Sequence, residues 1–298
     1  MATARVLAIG EILWDVFDDA PRLGGAPLNF AAHARRMGHD AILVSATGAD
    51  DLGARARARI ESLGLNARFV RTTAIYATGA ALVQLGPGGQ PAFRIQRPAA
   101  YDETALTEGD LEWLAEWQPD WLYYGTLMFT ADMPRLALKS LLKRLPNARR
   151  FYDVNLRPDS YSEELVRELL SRANVVKLNE TEMDALREIA DLSRESIAAF
   201  CSDGTKRFGW ETACVTLGER GCALWRAGEY VEAPAVAVKV ADTVGAGDAF
   251  AAALLDGLSR QAKLTEIAEF ANRVGAIVAS RAGAIPDWNL EEAAARKL

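Results

Sequence analysis

The chain has 298 residues, a formal net charge of −6, two histidines and three cysteines. That length buries a substantial core, while the negative balance argues against a mainly electrostatic nucleic-acid partner. Two histidines, His33 and His39, in or beside one Ala/Arg-rich segment leave little room for His-based catalysis or a His-rich metal site. No apolar run approaches membrane-spanning length. Cys201, Cys214 and Cys222 follow no metal-ligand spacing, so the expectation is a protein of the reducing cytoplasm.

From the N-terminus, Val6–Ile9 reads as a strand that meets Gly10-Glu11 at once, too short for a signal h-region. Ile12–Asp19 follows, then the loop Leu23-Gly24-Gly25-Ala26-Pro27-Leu28-Asn29 leading into a helix candidate near 26–38. A strand at Ile42–Ser45 and a helix near 50–63 come next. Gly79–Leu85 and Ala92–Gln96 flank the turn Gly86-Pro87-Gly88-Gly89, a hairpin pattern rather than a crossover helix. Paired together, 12–19 and about 76–101 would form a small sheet off the main one, suited to act as a lid. Beyond it, strands at Trp121–Tyr124, Phe151–Val154, Val175–Leu178 and Ala213–Thr216 alternate with helices near 133–144, 160–172 and 180–190. Ser160-x-x-Glu163 reads as the capping box that opens the second of these helices. Val236–Val240 reads as a strand, followed by a helix from about Ala249. The last helix, 264–280, carries Leu264, Ile267, Ala271, Val274 and Val278 at helical spacing. Such alternation predicts a parallel sheet covered by helices, with neither repeat nor clean domain boundary.

The densest chemistry lies in Asp242-Thr243-Val244-Gly245-Ala246-Gly247-Asp248. Gly245 and Gly247 let the backbone turn and approach a ligand. A helix starting just beyond them offers free N–H groups and the positive end of its dipole to an anion such as phosphate. Asp248 would repel that anion unless its task is to take a proton from the attacking group. A helix start capped by Asp242 or Thr243 accounts for the same residues about as well. Polar clusters also follow the strands: Gly10-Glu11, Gly125-Thr126, Asp153-x-Asn155-x-Arg157, Lys177-x-Asn179-x-x-Glu182 and Gly218-x-x-Gly221. Ligands of open parallel sheets bind outside the carboxyl ends of strands, so these clusters imply one extended site.

Asn29 offers a donor and an acceptor to a polyhydroxy compound, and Asp15 on the lid strand could accept from two hydroxyls. Neither Lys nor Arg occurs between Leu23 and Asn29, which disfavours a substrate already carrying phosphate there. Asn179 with Glu182 is at once a capping box and a pair fit for hydrated Mg²⁺. Arg157 could pair with a phosphate through its planar fork. The chain has no Gly-x-x-x-x-Gly-Lys-Ser/Thr, no Gly-x-Gly-x-x-Gly after the first strand and no Ser/Cys-with-His arrangement, which sets aside P-loop enzymes, dinucleotide dehydrogenases and common hydrolases.

Taken together, Gly24-Gly25 to Asn29, Asn179 with Glu182, and Asp242 to Asp248 resemble the PfkB (ribokinase-like) family of carbohydrate kinases, in order and nearly end to end. The resemblance implies a single α/β domain over 1–298, a three-layer αβα sandwich with a mainly parallel sheet and an inserted β-sheet lid that often mediates dimers. It implies phosphoryl transfer from Mg-ATP to a sugar hydroxyl, with Asp248 as base and the N–H groups of Gly245, Ala246 and Gly247 as anion hole, assisted by Arg157. It assigns Asp15, Gly25, Asn29 and Arg97 to the sugar, and Asn179 and Glu182 to Mg²⁺. Thr216, Gly218, Gly221 and Asn272 fall to the nucleotide. Residues 241–243 and 283–284 resemble the monovalent-cation (K⁺) loop of some members. Gly10-Glu11…Trp14-Asp15 with the Gly-Gly-Ala-Pro-Leu-Asn-Phe run is most like bacterial fructokinases. An arginine at 97 also suits a sugar acid such as 2-keto-3-deoxygluconate. Kinases of ribose or a nucleoside, or a non-catalytic sugar or nucleotide sensor, are the alternatives.

Overall fold

The computed structural model describes residues 3–16, 21–85, 91–158 and 160–295. Its strands are β1 Arg5–Ile9, β2 Leu13–Val16, β3 Pro21–Gly24, β4 Asp40–Gly48, β5 Val70–Thr73, β6 Gly79–Leu85, β7 Pro91–Ile95, β8 Trp121–Tyr124, β9 Arg149–Asp153, β10 Val175–Asn179, β11 Thr212–Thr216, β12 Cys222–Arg226 and β13 Glu229–Ala233. The helices are α1 Ala26–Arg36, α2 Asp51–Ser62, α3 Glu108–Trp117, α4 Asp132–Arg144, α5 Glu163–Leu170, α6 Glu180–Ile189, α7 Ile197–Phe208, α8 Ala246–Ser259, α9 Leu264–Ala279 and α10 Leu290–Ala294.

Nine strands form the main sheet in the order β13-β12-β11-β10-β9-β8-β1-β4-β5. It is parallel from β5 to β11 and antiparallel only where β12 and β13 turn back at one edge. Strand periodicity explains why both faces are covered. Side chains alternate between faces, and in β1 Val6 and Ala8 join one core while Leu7 and Ile9 join the other. Trp121 and Tyr123 of β8 part from Leu122 and Tyr124 in the same way. The first core is closed by α1, α2, α8 and α9, the second by α3 to α7. This is the expected three-layer sandwich, and α8, buried from Ala249 to Leu258, is its most enclosed helix.

A separate four-stranded sheet, β3-β2-β6-β7, rises from the main one. The hairpin of β6 and β7 and the pairing of β6 with β2 follow the expectation for the lid segments. Residues 17–19 and the turn 86–89 lie outside the described residues. Leu23-Gly24, read as loop, is instead the end of β3, antiparallel to β2. The helix after it starts at Ala26, with Pro27 in its first turn where a missing N–H costs nothing, so Asn29 belongs to the helix.

Two other expectations fail locally. Val236–Val240 forms no strand: the sheet ends at β13, Pro234 supplies no donor, and the segment is tied instead through the Ala241 and Asp242 amides to the Ala279 carbonyl. Ser160 does not open α5. Its hydroxyl donates to the Pro158 carbonyl at 3.3 Å, and Ser162 caps the helix by accepting from the Leu165 amide. No helix among the described residues is long and apolar enough to cross a membrane.

Candidate active site

Parallel strands bring their carboxyl ends to one edge, and there a cavity of about 340 Å³ opens between sheet and lid. Its floor comes from β9, β10 and β11 and the turns after them, through Asp153, Asn155, Arg157, Lys177, Asn179, Glu182 and Thr216. One wall is the 243–248 segment at the start of α8, and the opposite wall is Gly25, Ala26 and Asn29 at the start of α1. Leu13 and Asp15 of β2, Ala81 of β6 and Ile95 of β7 roof it. Strand alternation selects Leu13 and Asp15 and sends Trp14 to the other side, where its indole donates to the Leu52 carbonyl and lies under Arg55. A wider hollow of about 630 Å³ lies at the amino ends of β1, β8 and β9. Arg5, Arg144 and Arg149 there are each already paired, with Asp120, Glu108 and Glu211. The smaller cavity gathers most of the expected site residues.

Gly245 begins α8 in the left-handed region at φ 79°, and a Cβ there would stand 2.4 Å from the Ala284 carbonyl oxygen. Among the described residues the Gly245 and Gly247 amides have no acceptor, whereas Ala246 N–H donates to the Thr243 carbonyl at 3.3 Å. The open donors at this helix start are therefore the amides of Gly245, Gly247 and Asp248. The loop below is pinned by Asp242, which accepts from the Val244 and Gly283 amides at 3.0 Å each. Behind it, His33 accepts from the Trp288 indole through Nδ1 and so presents Nε2–H to the Ala284 carbonyl at 3.0 Å. Burial pulls His33 down to about 4, so it stays neutral in this tautomer.

Asp248 accepts a 2.8 Å hydrogen bond from Asn29 Nδ2. Burial raises its carboxyl to about 6, helped by Asp153 and opposed by Lys177, Asn29 and Arg157. Glu11, also mainly through burial, is raised to about 7, and Asp15 to about 6. A carboxylate near 6 is ionised at neutral pH yet far more basic than an exposed one, as suits a proton acceptor. Asn29 is 3% exposed, and its Oδ1 is left without a partner.

Asn179 and Glu182 form the expected capping box. Asn179 caps α6 through the Glu182 amide, and Glu182 accepts from the Asn179 and Leu156 amides at 2.9 Å each. Both also line the cavity. Burial holds the Glu182 carboxyl above its usual range, with Lys177 opposing.

Of the remaining expected site residues, Asp15, Gly25, Arg157 and Thr216 meet at the cavity and four do not. Arg97 pairs with Asp102, stacks over Tyr101 and donates to the Leu127 carbonyl at 2.9 Å. Asn272 donates to the Ala233 and Pro234 carbonyls at 3.0 Å, fastening the chain that leaves β13. Gly218 and Gly221 shape the turn after β11, where a Cβ on Gly221 would stand 2.0 Å from the Ala233 carbonyl. Thr126 is consumed by the Tyr152 hydroxyl and the Val154 carbonyl. Sequence reasoning gave no role to Asp153, Lys177 or Glu11, although their positions at strand ends had singled them out.

Over nearly its whole length the chain is similar to known sugar kinases. Fructokinase-1 of Oryza sativa subsp. japonica is 31% identical over 314 residues, covering 96% of this chain and 95% of its own. A sugar kinase of Pyrococcus horikoshii, solved in complex with ATP, superposes with a TM-score of 0.81 at 26% identity, covering 96% of each chain. The 2-dehydro-3-deoxygluconokinase of Thermotoga maritima superposes with a TM-score of 0.85 at 20% identity over 97% of this chain and 98% of its own, a likeness of fold. The model of the pfkB family carbohydrate kinases matches residues 11–290, and the chain belongs to that family of sugar-phosphorylating enzymes.

Proposed function

We propose that this kinase transfers the γ-phosphoryl group of ATP to a hydroxyl of a small neutral sugar, with fructose, phosphorylated to fructose 6-phosphate, as the preferred acceptor. One observation carries the reading: the basic carboxylate of Asp248, the open amides of Gly245 and Gly247, and the unpartnered Asn29 Oδ1 face one cavity. A sugar hydroxyl donating to Asn29 would satisfy that orphan oxygen. Five carboxyl side chains line the cavity against two cations, Arg157 and Lys177. Arg97 is engaged by Asp102. This balance favours a neutral acceptor over a sugar acid or sugar phosphate.

In the reaction Asp248 takes the hydroxyl proton, the freed oxygen attacks the γ-phosphorus, and the bond to the β–γ bridging oxygen breaks to release ADP. The Gly245 and Gly247 amides receive the charge that grows on the phosphoryl oxygens, so catalysis is mainly positioning and electrostatics. Glu182 keeps carboxylate lone pairs beyond the two amides it accepts from, so it and Asn179 fit a water-coordinated Mg²⁺. When bound, that ion neutralises phosphate charge. The nucleotide approaches past Thr216 and the Gly218–Gly221 turn. Clasped by Asp242, segments 241–243 and 283–284 are assigned to a monovalent cation such as K⁺, which potassium-dependent turnover would test.

The lid strands close over the sugar to exclude water and limit idle ATP hydrolysis. Hydrogen-exchange protection of β2 and β6 should rise on adding sugar. The outer edges of β3 and β7 carry no partner strand within the lid sheet, so a second copy pairing there would make the dimer of this reading. ATP and free sugar meet in the cytoplasm, where buried reduced cysteines also belong.

ADP release with Mg-ATP against fructose, glucose, ribose, 2-keto-3-deoxygluconate, adenosine and fructose 6-phosphate tests the proposal, with Asp248→Asn as control. Turnover on fructose above the others, abolished in the variant, is the expected result. Preference for another acceptor would overturn the fructose assignment and keep the chemistry. Saturable nucleotide binding with no phosphate transferred to any acceptor would overturn the kinase reading in favour of a sensor.

A further inference from the structure

One buried cation of the cavity has no part in this scheme. Lys177 interrupts the apolar run of β10, between Val176 and Leu178 of the second core. It is only 8% exposed yet reaches the cavity. Its Nζ donates to both oxygens of Asp153 at 3.0 Å each. Asp153 is held from the other side by the Tyr123 hydroxyl, which donates to Oδ2 at 3.0 Å. An ammonium carries three donors, so one is left after Asp153. A Cβ built on Gly247 would stand 3.4 Å from Nζ. The ammonium therefore sits beside the residue whose own amide opens into the cavity.

We propose that Lys177 is a direct ligand of the γ-phosphoryl group, completing the anion hole from beneath, with Asp153 and Tyr123 as its positioning residues. This rests on the kinase reading. Two arguments favour it over a structural ion pair. Burying a Lys–Asp pair costs desolvation that its attraction barely offsets, and apolar residues of similar size serve a fold as well. In addition, a cavity lined by Glu11, Asp15, Asp153, Glu182 and Asp248 repels a triphosphate unless cations answer it, and Arg157, the other cation there, is exposed. Lys177 supplies its charge at the floor, where the phosphoryl group must pass between ATP and acceptor.

The test compares binding of Mg-ADP with that of Mg-AMP-PNP by calorimetry, in wild type, Lys177→Met, Lys177→Arg and the double variant Lys177→Met/Asp153→Asn. The double variant removes both members of the buried Lys177–Asp153 pair, so Asp153 is not left as a carboxylate without its cation, which guards against simple misfolding. The expected result is a tenfold or greater loss of AMP-PNP affinity, with ADP affinity within about twofold, and partial recovery in the arginine variant. With fructose, or whichever acceptor turns over, kcat should fall about 10²-fold, the weight of one oxyanion donor, while the sugar KM holds. Equal losses for both nucleotides, or a folded double variant with wild-type AMP-PNP affinity, would overturn the proposal. A wild-type protein that discriminates AMP-PNP through Lys177 yet phosphorylates no acceptor would sink the kinase reading and leave the ligand assignment standing.

Discussion

Asn29 and Asp248, 219 positions apart, are joined by a 2.8 Å hydrogen bond from the amide Nδ2 to the carboxylate Oδ2. The start of α1 thereby holds Asp248 at the start of α8, and the amide oxygen stays unpartnered. On the proposed reading, one residue both orients the base and meets the sugar. Its amide favours the carboxylate form of Asp248 and so lowers a carboxyl that burial has raised to about 6. Asn29→Leu removes that support, and the acid limb of the kcat/KM profile should move upward by about 1–2 pH units. A limb unmoved near pH 6 in the variant would show that the two residues are not coupled in catalysis.

The two glycines of the helix start should respond differently to alanine. At Gly245 the left-handed φ and the Ala284 carbonyl 2.4 Å from a Cβ leave no room. Gly245→Ala should lose both thermal stability and turnover. Gly247 is already helical and a Cβ there meets only Lys177 Nζ at 3.4 Å. Helix propensity favours alanine by about 1 kcal/mol, so Gly247→Ala should keep or raise Tm while kcat falls as the methyl group crowds the hole. Parallel melting curves and steady-state kinetics decide this. A Gly247→Ala enzyme with full kcat would mean that the phosphoryl group does not approach that side of the turn.

Glu11 predicts a pH-dependent stability. Its carboxyl is raised from 4.5 to about 7, burial being the main cause. A raised folded value means that the native state holds the proton over that window while the unfolded chain has lost it. The favourable term is therefore complete below pH 4.5 and lost as pH rises to about 7, a change of ~3 kcal/mol. Glu11→Gln removes the dependence. Its Tm should exceed that of wild type at pH 8, and the difference should close by pH 4.5. A constant difference across that range would contradict the burial argument.

The sandwich was legible because strands such as Val6–Ile9 are apolar on both faces, which only a doubly covered parallel sheet can use. The hairpin of β6 and β7 was legible from its flanking alternation. Val236–Val240 misled because alternation records which residues prefer a pleated surface, while strand formation also needs a partner edge, and the sheet had already ended at β13. Ser160 shows the finer limit: its spacing to Glu163 reads as a capping box, yet its hydroxyl bonds back to the Pro158 carbonyl and Ser162 caps the helix. In the site, Asp248, Asn29 and Gly245 carry their chemistry in sequence order. Lys177 does not, because a lysine near the carboxyl end of a strand reads as a solvated cation until the fold seals Asp153 and Gly247 around it.

Arg97 separates the two sugar readings. Its guanidinium is spent on Asp102, the Leu127 carbonyl and the Thr130 hydroxyl, while Asp102 Oδ2 also accepts from the Ala99 amide at 2.9 Å. Asp102 is itself buried, so Arg97→Met leaves a carboxylate short of its cation, at about 2–4 kcal/mol. Tm should drop, because this side chain ties residues 97–102 to the chain after β8 through the Leu127 carbonyl and the Thr130 hydroxyl. Fructose KM should stay within about twofold. A sugar acid should be neither gained nor lost as acceptor, since no ligand in the cavity meets the guanidinium where it now lies. If Arg97→Met kept its stability and instead raised KM for the acceptor, the arginine would have to leave Asp102 when substrate binds. The preference for a neutral sugar would then fall with it.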